Sequence, residues 1–130
     1  MNNPSSIRIL LADDEPALCS ALRLLLEQEP GLTVVGEATG ASSAQQQAAT
    51  VHPDLMLLDW ELPGSIGVSL LHSLRGIASE MQIIVLSSRP EARRAALVAG
   101  ADAFVSKGDP PDCLLATIRG LFPHCTIDTA

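Results

Sequence analysis

Five short apolar runs, separated by longer and more polar segments, constrain the fold of this chain more than any other feature. The runs cover residues 7–12, 32–36, 54–59, 82–87 and 103–106. Most are apolar at consecutive positions and do not alternate with polar residues. This is the pattern of strands that are covered by helices on both faces of a parallel sheet. The sequence therefore predicts a parallel sheet with five buried strands.

The segments between the runs have helical spacing of their apolar residues. Helices are predicted over residues 16–29, 41–51, 67–79 and 91–99, and from Pro110 or Pro111 to Phe122. We expect Asp14 to cap the first helix, with Pro16 in its first turn. The second helix is expected to end before His52, because a residue that precedes proline is pushed out of helical geometry.

The alternation of strands and helices predicts a doubly wound α/β fold. With right-handed crossovers, the simplest arrangement is a flavodoxin-like sheet of strand order 2-1-3-4-5 with five helices. At 130 residues the chain has the length of one domain, with a folded core predicted over residues 6–122. Ligands of such sheets bind at the carboxyl ends of the strands.

Charge and composition exclude several classes of function. The formal charge is −7, the pI is near 4.7, and no basic stripe is present, so this segment is not expected to bind nucleic acid directly. Cys19, Cys113 and Cys125 lack the close spacing of metal or redox sites and indicate reduced thiols. No apolar stretch approaches the roughly 20 residues that span a bilayer. We therefore expect a cytoplasmic protein without a membrane partner.

Polar residues stand where the apolar runs end. Asp13 and Asp14 follow the first run, Asp59 and Ser87 end the third and fourth, and Lys107 follows the fifth. The carboxyl ends of parallel strands meet at one edge of the sheet, so these side chains are expected to share a crevice. Clustered carboxylates repel one another unless a cation lies among them, and oxygen ligands alone suit Mg²⁺. The sequence predicts a Mg²⁺-dependent phosphoryl-transfer site.

Each residue has a role in such a site. Asp59 ends the central strand and is the best-placed nucleophile, whereas the adjacent Asp13 and Asp14 are better suited to holding the metal. Lys107 supplies a fixed cation, and the Ser87 hydroxyl can donate to a phosphoryl oxygen. Taken singly, each residue also has a structural interpretation. Asp13 or Asp14 could cap a helix, Lys107 could be a solvated loop lysine, and Ser87 and Asp59 could be turn residues. Their joint placement at one edge favours the functional interpretation.

Four segments, LLADDEP, LMLLDWELPG, VLSS and AFVSK, resemble the hallmarks of the receiver domains of two-component response regulators. The resemblance covers essentially the whole chain. The sequence KGDPP is similar to receivers of the LuxR/NarL type, which usually precede a DNA-binding output domain. The resemblance implies a Mg²⁺-dependent transfer of phosphate to Asp59 from a histidine kinase, a phosphotransfer protein or a small phosphodonor. It also implies a homodimer formed on phosphorylation and a role in transcription regulation.

The resemblance assigns further roles at the same edge. It implies the acidic pair Asp13 and Asp14, Asp59 and the backbone carbonyl of Glu61 as metal ligands, Lys107 as the essential lysine, Ser87 as the switch hydroxyl and Phe104 as the switch aromatic. The face of the fourth helix, fifth strand and fifth helix is the implied output or dimer surface. Serine replaces the more usual threonine, phenylalanine replaces tyrosine, and Gly108 stands where a cis proline commonly follows the lysine.

Glu61 and Arg89 lie two residues beyond the nucleophile and the switch serine and carry opposite charges. We expect them to form an ion pair over the aspartyl phosphate that slows its hydrolysis. Two independently solvated side chains are the alternative.

Three other proteins fit part of the pattern. A haloacid-dehalogenase-type phosphatase also uses residues like Asp59, Glu61, Ser87 and Lys107, but there the nucleophile ends the first strand. A flavodoxin-type FMN carrier needs a hydroxyl- and glycine-rich loop where this chain has ADDEP. A pseudo-receiver that is never phosphorylated would serve only as an interaction module. The favoured interpretation is a signalling switch, not an enzyme, that assists its own phosphorylation and dephosphorylation.

Overall fold

The fold is a five-stranded parallel sheet of order β2-β1-β3-β4-β5, seen in a computed structural model that describes residues 6–123. The strands are β1 (Ile7–Ala12), β2 (Leu32–Ala38), β3 (Leu55–Asp59), β4 (Gln82–Ser87) and β5 (Ala103–Ser106). The helices are α1 (Pro16–Glu27), α2 (Ala41–Val51), α3 (Gly67–Ile77), α4 (Arg93–Val98) and α5 (Pro111–Leu121). The predicted flavodoxin-like topology is confirmed.

The sheet separates two apolar clusters, which explains why the central strands are apolar at every position. Leu10, Met56 and Ile83 face the cluster of α2, α3 and α4. Ile9 of β1 and Leu57 of β3 face the cluster of α1 and α5. Alternate residues of one strand thus enter opposite clusters, and each large side chain that is fully buried contributes about 1.5–3 kcal/mol to folding.

The edge strand β2 departs from this pattern and is longer than predicted. Leu32, Val34 and Ala38 are buried, whereas Thr33 and Glu37 face solvent. Pairing with β1 skips one residue, since Ile9 lies opposite Val34 and Leu10 opposite Gly36. The strand continues past Gly36 to Ala38, so the predicted end at residue 36 was two residues short.

Several helix ends also differ from the sequence prediction. The first and third helices end at Glu27 and Ile77, before the predicted residues 29 and 79. The predicted fourth helix is a 3₁₀ turn, Pro90–Ala92, followed by α4, which ends at Val98. Helix α2 ends before His52 as expected, because His52 adopts a left-handed conformation with φ 53° and ψ 60°.

The predicted cap of α1 by Asp14 was wrong. Glu15 occupies the N-cap position and makes no side-chain cap bond. Instead, Oδ1 of Asp13 accepts a hydrogen bond from the backbone N–H of Glu15 at 2.9 Å. An aspartate readily bonds the amide two residues ahead in this way. Asp14 is thereby left exposed at the rim.

Among residues 6–123, every helix is too short or too polar to cross a membrane. Cys19 is buried and Cys113 exposed, both as free thiols, and Cys125 lies outside the described residues.

Candidate functional site

Backbone hydrogen bonds continue the ladders beyond the strand ends and fix the polar residues there. The N–H of Asp13 donates to the carbonyl of Ala38 at 2.9 Å, and the N–H of Lys107 donates to the carbonyl of Ser87 at 2.8 Å. Asp59, the last residue of central strand β3, pairs with Leu86. The predicted meeting of these residues at one edge is therefore present.

Three carboxylates form a cluster at this edge. Asp13, Asp14 and Asp59 each offer one oxygen, and the three oxygens lie within 4.8 Å of one another. Asp13 is 2% exposed and Asp59 3%, whereas Asp14 faces solvent. Two carboxylates of the cluster are thus buried and the third is exposed. An ion or a substrate can approach the cluster from the exposed side, beside Asp14.

Lys107 lies against the floor of the cluster. Its Nζ is 3.0 Å from Oδ2 of Asp13 and 3.2 Å from Oδ1 of Asp59, and its side chain is 13% exposed. Burial opposes the charged form of Lys107, but the contact with Asp13 and the charges of Asp59 and Asp13 outweigh it and raise the pKa of Lys107. Lys107 therefore remains a cation at neutral pH.

Glu15 is a third carboxylate on the same ammonium group, and the sequence analysis missed it. Oε1 of Glu15 lies 3.2 Å from Nζ of Lys107, although the Glu15 side chain is 62% exposed. The only signal in the sequence is its position directly after the acidic pair. Because Glu15 is solvated, this contact is weaker than the two buried ones.

One buried oxygen indicates that the cluster fits a cation. Oδ2 of Asp13 is buried and accepts no aligned hydrogen bond within residues 6–123, although Nζ of Lys107 is close. Lys107 supplies one positive charge against three clustered carboxylates, and a further cation would offset the negative charge that remains. The nearby Cys19 thiol donates to the backbone carbonyl of Asp13, and burial raises its pKa, so it is not a thiolate ligand. Oxygen donors alone suit a hard divalent ion.

Asp59 is ionised at a cost in the absence of such an ion. Burial raises the pKa of Asp59, and the charge of Asp13 adds to this effect. The backbone N–H of Glu61, which donates to Oδ1 of Asp59 at 3.1 Å, and the charge of Lys107 act in the opposite direction but do not cancel it. The site thus stores an unfavourable negative charge at its centre.

The Ser87 hydroxyl is engaged by Glu61. Ser87 is fully buried, and its Oγ donates to Oε2 of Glu61 at 2.9 Å, with Oε1 at 3.2 Å. Its oxygen in turn accepts the backbone N–H of Arg89 at 3.0 Å. The sequence suggests Arg89 as the partner of the Glu61 side chain and holds no signal for this contact with Ser87.

The expected pair of Glu61 and Arg89 is only a loose contact. Nε of Arg89 lies 4.0 Å from Oε2 of Glu61 and 3.9 Å from Oε2 of Glu91. The Arg89 side chain is 59% exposed, and exposed pairs contribute about 0–1 kcal/mol. Arg89 therefore divides its charge between two glutamates at the mouth of the site.

The remaining predicted residues surround the site. Phe104 is buried, with 7% exposure, in the cluster that includes α4. The turn after Lys107 contains no cis bond and is closed by Asp109, whose Oδ2 accepts the N–H of Ser106 at 3.1 Å. The ring of Trp60 lies on Gly67, where an added Cβ would come within 2.8 Å of the indole.

Asp59→Asn should stabilise the folded domain in the absence of divalent ions. Because the pKa of Asp59 is raised on folding, its ionised form costs stability at neutral pH. Removing the charge should therefore raise the free energy of unfolding at neutral pH. The gain should vanish as pH falls through the raised pKa, where wild-type Asp59 is already protonated.

Denaturant titrations with and without Mg²⁺ test this expectation. At ten times its dissociation constant Mg²⁺ should stabilise the wild type by about 1.4 kcal/mol, and the Asn variant much less. The fluorescence of Trp60, the single tryptophan, should change with Mg²⁺. A less stable Asn variant, or fluorescence that is flat up to high Mg²⁺, would contradict the electrostatic account.

Comparison with known proteins identifies the family. Residues 9–119 match the response regulator receiver domain family. The chain is 36% identical over 121 residues to the nitrate/nitrite response regulator NarL of Escherichia coli, covering 92% of this chain and 56% of that protein. It is 40% identical over 113 residues to the transcriptional regulatory protein KdpE of Mycobacterium tuberculosis, covering 85% of this chain and 49% of KdpE.

A solved structure agrees with these relatives. The crystal structure of a LuxR-family two-component response regulator from Aurantimonas sp. has a TM-score of 0.85 and 30% identity, and the match covers 93% of this chain and 88% of that one. The chain spans about half the length of NarL and KdpE. This chain therefore belongs to the family of response regulator receiver domains of two-component signalling.

Proposed function

We propose that this domain is a phosphoacceptor switch in which Asp59 takes a phosphoryl group in a Mg²⁺-dependent reaction. The donor is a histidine kinase, a phosphotransfer protein or a small phosphodonor. The observation that carries the proposal is the buried Asp59 carboxylate, which ends the central strand between Lys107 and the Asp13–Asp14 pair. A buried nucleophile beside a fixed cation, in an acidic cluster, suits phosphoryl transfer.

In the transfer step, a carboxylate oxygen of Asp59 attacks phosphorus as the bond from phosphorus to the donor atom breaks. For a phosphohistidine donor the electron pair of that bond returns to the imidazole nitrogen. Lys107, which Asp59 and Asp13 hold in its charged form, faces the phosphoryl oxygens and attracts them. Asp13, Asp14, Asp59 and the Glu61 carbonyl would hold Mg²⁺, which supplies further neutralisation of phosphoryl charge.

Loss of the phosphoryl group reverses the state of the switch. Water attacks phosphorus, the bond to the Asp59 oxygen breaks, and the carboxylate and inorganic phosphate are released. The domain therefore assists both steps on its own side chain and turns over no separate substrate. Glu61 and Arg89 stand at the mouth of the site, where they can hinder the approach of water.

The output follows from Ser87 and Phe104. A phosphoryl oxygen on Asp59 attracts the Ser87 hydroxyl, and the repacking extends through Phe104 to the face of α4, β5 and α5. This face exposes Leu97 and Val98, at 37% and 78%, and is the proposed surface for a homodimer or an output domain. We propose transcription regulation in the cytoplasm as the output. DNA contacts would come from another domain, because this acidic segment repels a phosphate backbone.

Asp59→Asn should abolish labelling by a radioactive small phosphodonor in Mg²⁺, by at least about a hundredfold, because the amide is not a nucleophile. Chelation of the metal should have the same effect. The wild-type label should be released by hydroxylamine, as expected of an acyl phosphate. Asp112→Asn, at an exposed aspartate of α5, is the matched control and should label normally. Absence of any wild-type acyl phosphate would indicate a pseudo-receiver.

Ser87→Ala should separate phosphorylation from output. The variant keeps the nucleophile, the acidic pair and Lys107, so it should label at a rate within about threefold of the wild type, but it lacks the hydroxyl that reads the phosphoryl group. Dimerisation measured by sedimentation should then no longer respond to the phosphodonor. Ser87→Thr, which keeps the hydroxyl, should respond, and Lys107→Ala should impair both steps. A full response of Ser87→Ala would refute this mechanism.

Arg89→Glu should shorten the lifetime of the phosphorylated state if the pair with Glu61 shields the site from water. The expected change is about twofold to threefold, in keeping with a weak exposed pair. The double exchange of Glu61→Arg with Arg89→Glu should restore part of the lifetime. Dephosphorylation is followed by loss of label at matched Mg²⁺ and salt. Equal rates in all of these variants would show that no such gate exists.

A further inference from the structure

The hydroxyl of Ser87 is bonded to the carboxylate of Glu61. The Ser87 Oγ lies 2.9 and 3.2 Å from the two carboxylate oxygens of Glu61. An ionised carboxylate has no proton to donate, so the single hydroxyl proton of Ser87 lies toward Glu61. The Arg89 N–H occupies a lone pair of the same oxygen at 3.0 Å. The proton that Ser87 would donate to a phosphoryl oxygen is therefore already donated to Glu61.

We propose that Glu61 is a positioning residue that acts through Ser87. Its carboxylate occupies, in the resting domain, the acceptor place that a phosphoryl oxygen takes after transfer. The inference rests on the proposed function, because it requires Ser87 to read a phosphoryl group. Glu61 then sets how far phosphorylation shifts the domain toward its active state.

The competition arises because Ser87 has one proton and no access to water. Ser87 is 0% exposed, and a buried hydroxyl keeps an acceptor because losing it is costly. The bond to Glu61 is charge-assisted and thus stronger than a neutral one. A phosphoryl oxygen is also an anionic acceptor, so it competes with the Glu61 carboxylate for the Ser87 proton. The switch depends on the difference between the two bonds and not on the strength of either.

The two partners differ in what happens when they separate. The Glu61 side chain is 39% exposed, so a released carboxylate is hydrated by solvent. Ser87 remains buried and must find another acceptor. Glu61 is therefore the partner that leaves. Its backbone N–H donates to Oδ1 of Asp59 at 3.1 Å, which places the residue beside the carboxylate that gains the phosphoryl group in the proposed function.

The test measures the affinity of the domain for beryllofluoride, a phosphoryl mimic, in saturating Mg²⁺ by calorimetry. Glu61→Ala should bind it about five to ten times more tightly, the equivalent of one typical net hydrogen bond that no longer competes. Glu61→Gln should lie between the wild type and Glu61→Ala, because its amide oxygen still accepts from Ser87 without a charge. Glu91→Ala, the glutamate that contacts Arg89 but not Ser87, should change affinity less than about twofold.

A double-mutant cycle with Ser87→Ala separates the hydrogen bond from simple charge repulsion. Removing a nearby negative charge also favours an anion, and that effect persists without the hydroxyl. The gain from Glu61→Ala should therefore shrink by at least about threefold in the Ser87→Ala background. Equal gains in both backgrounds, or weaker binding by Glu61→Ala, would overturn the inference while leaving the proposed function intact. Failure of the wild type to bind beryllofluoride and to accept phosphate would overturn both.

Discussion

The contact of one partly buried ammonium group with two buried carboxylates is the interaction on which the rest of the site depends. Lys107 neutralises part of the charge of Asp13 and Asp59, and its charge lowers the pKa of Asp59 against the larger effect of burial. One cation does not balance two anions together with Asp14 at the rim. The site therefore remains short of positive charge, and a divalent metal ion can offset this deficit.

The sheet itself could be predicted from the sequence because its cause is local. Strands buried on both faces are apolar at each position, and strand ends are marked where Asp13, Asp59 and Lys107 interrupt the runs. The edge strand was less predictable, since pairing on one side allows a skipped residue and polar positions. The ends of helices depend on which residue accepts a hydrogen bond from a single backbone N–H. The choice of Asp13 over Asp14 follows from the path of the chain, which composition does not encode.

The candidate site was predictable in its membership but not in its contacts. Topology alone brings the strand ends together, so the residue types at these ends suffice to predict an acidic cluster and a lysine. The contacts of Glu15 with Lys107 and of Glu61 with Ser87 depend on side-chain torsions. Glu61 illustrates the limit, because its position suggested a partner across the mouth of the site, and the three-dimensional arrangement gave it a nearer one.

The division of the core by the sheet determines which surface can respond to the site. Phe104 belongs to the cluster of α2, α3 and α4, whereas its neighbour Val105 belongs to that of α1 and α5. Within that first cluster α4 is a short helix held by one buried residue, Ala96. A movement of Phe104 can therefore shift α4, which has one buried residue, whereas the apolar cluster of α1 and α5 on the opposite face of the sheet is separated from Phe104. The two sides of the domain can accordingly be occupied by different partners, one whose binding depends on the state of the switch and one whose binding does not.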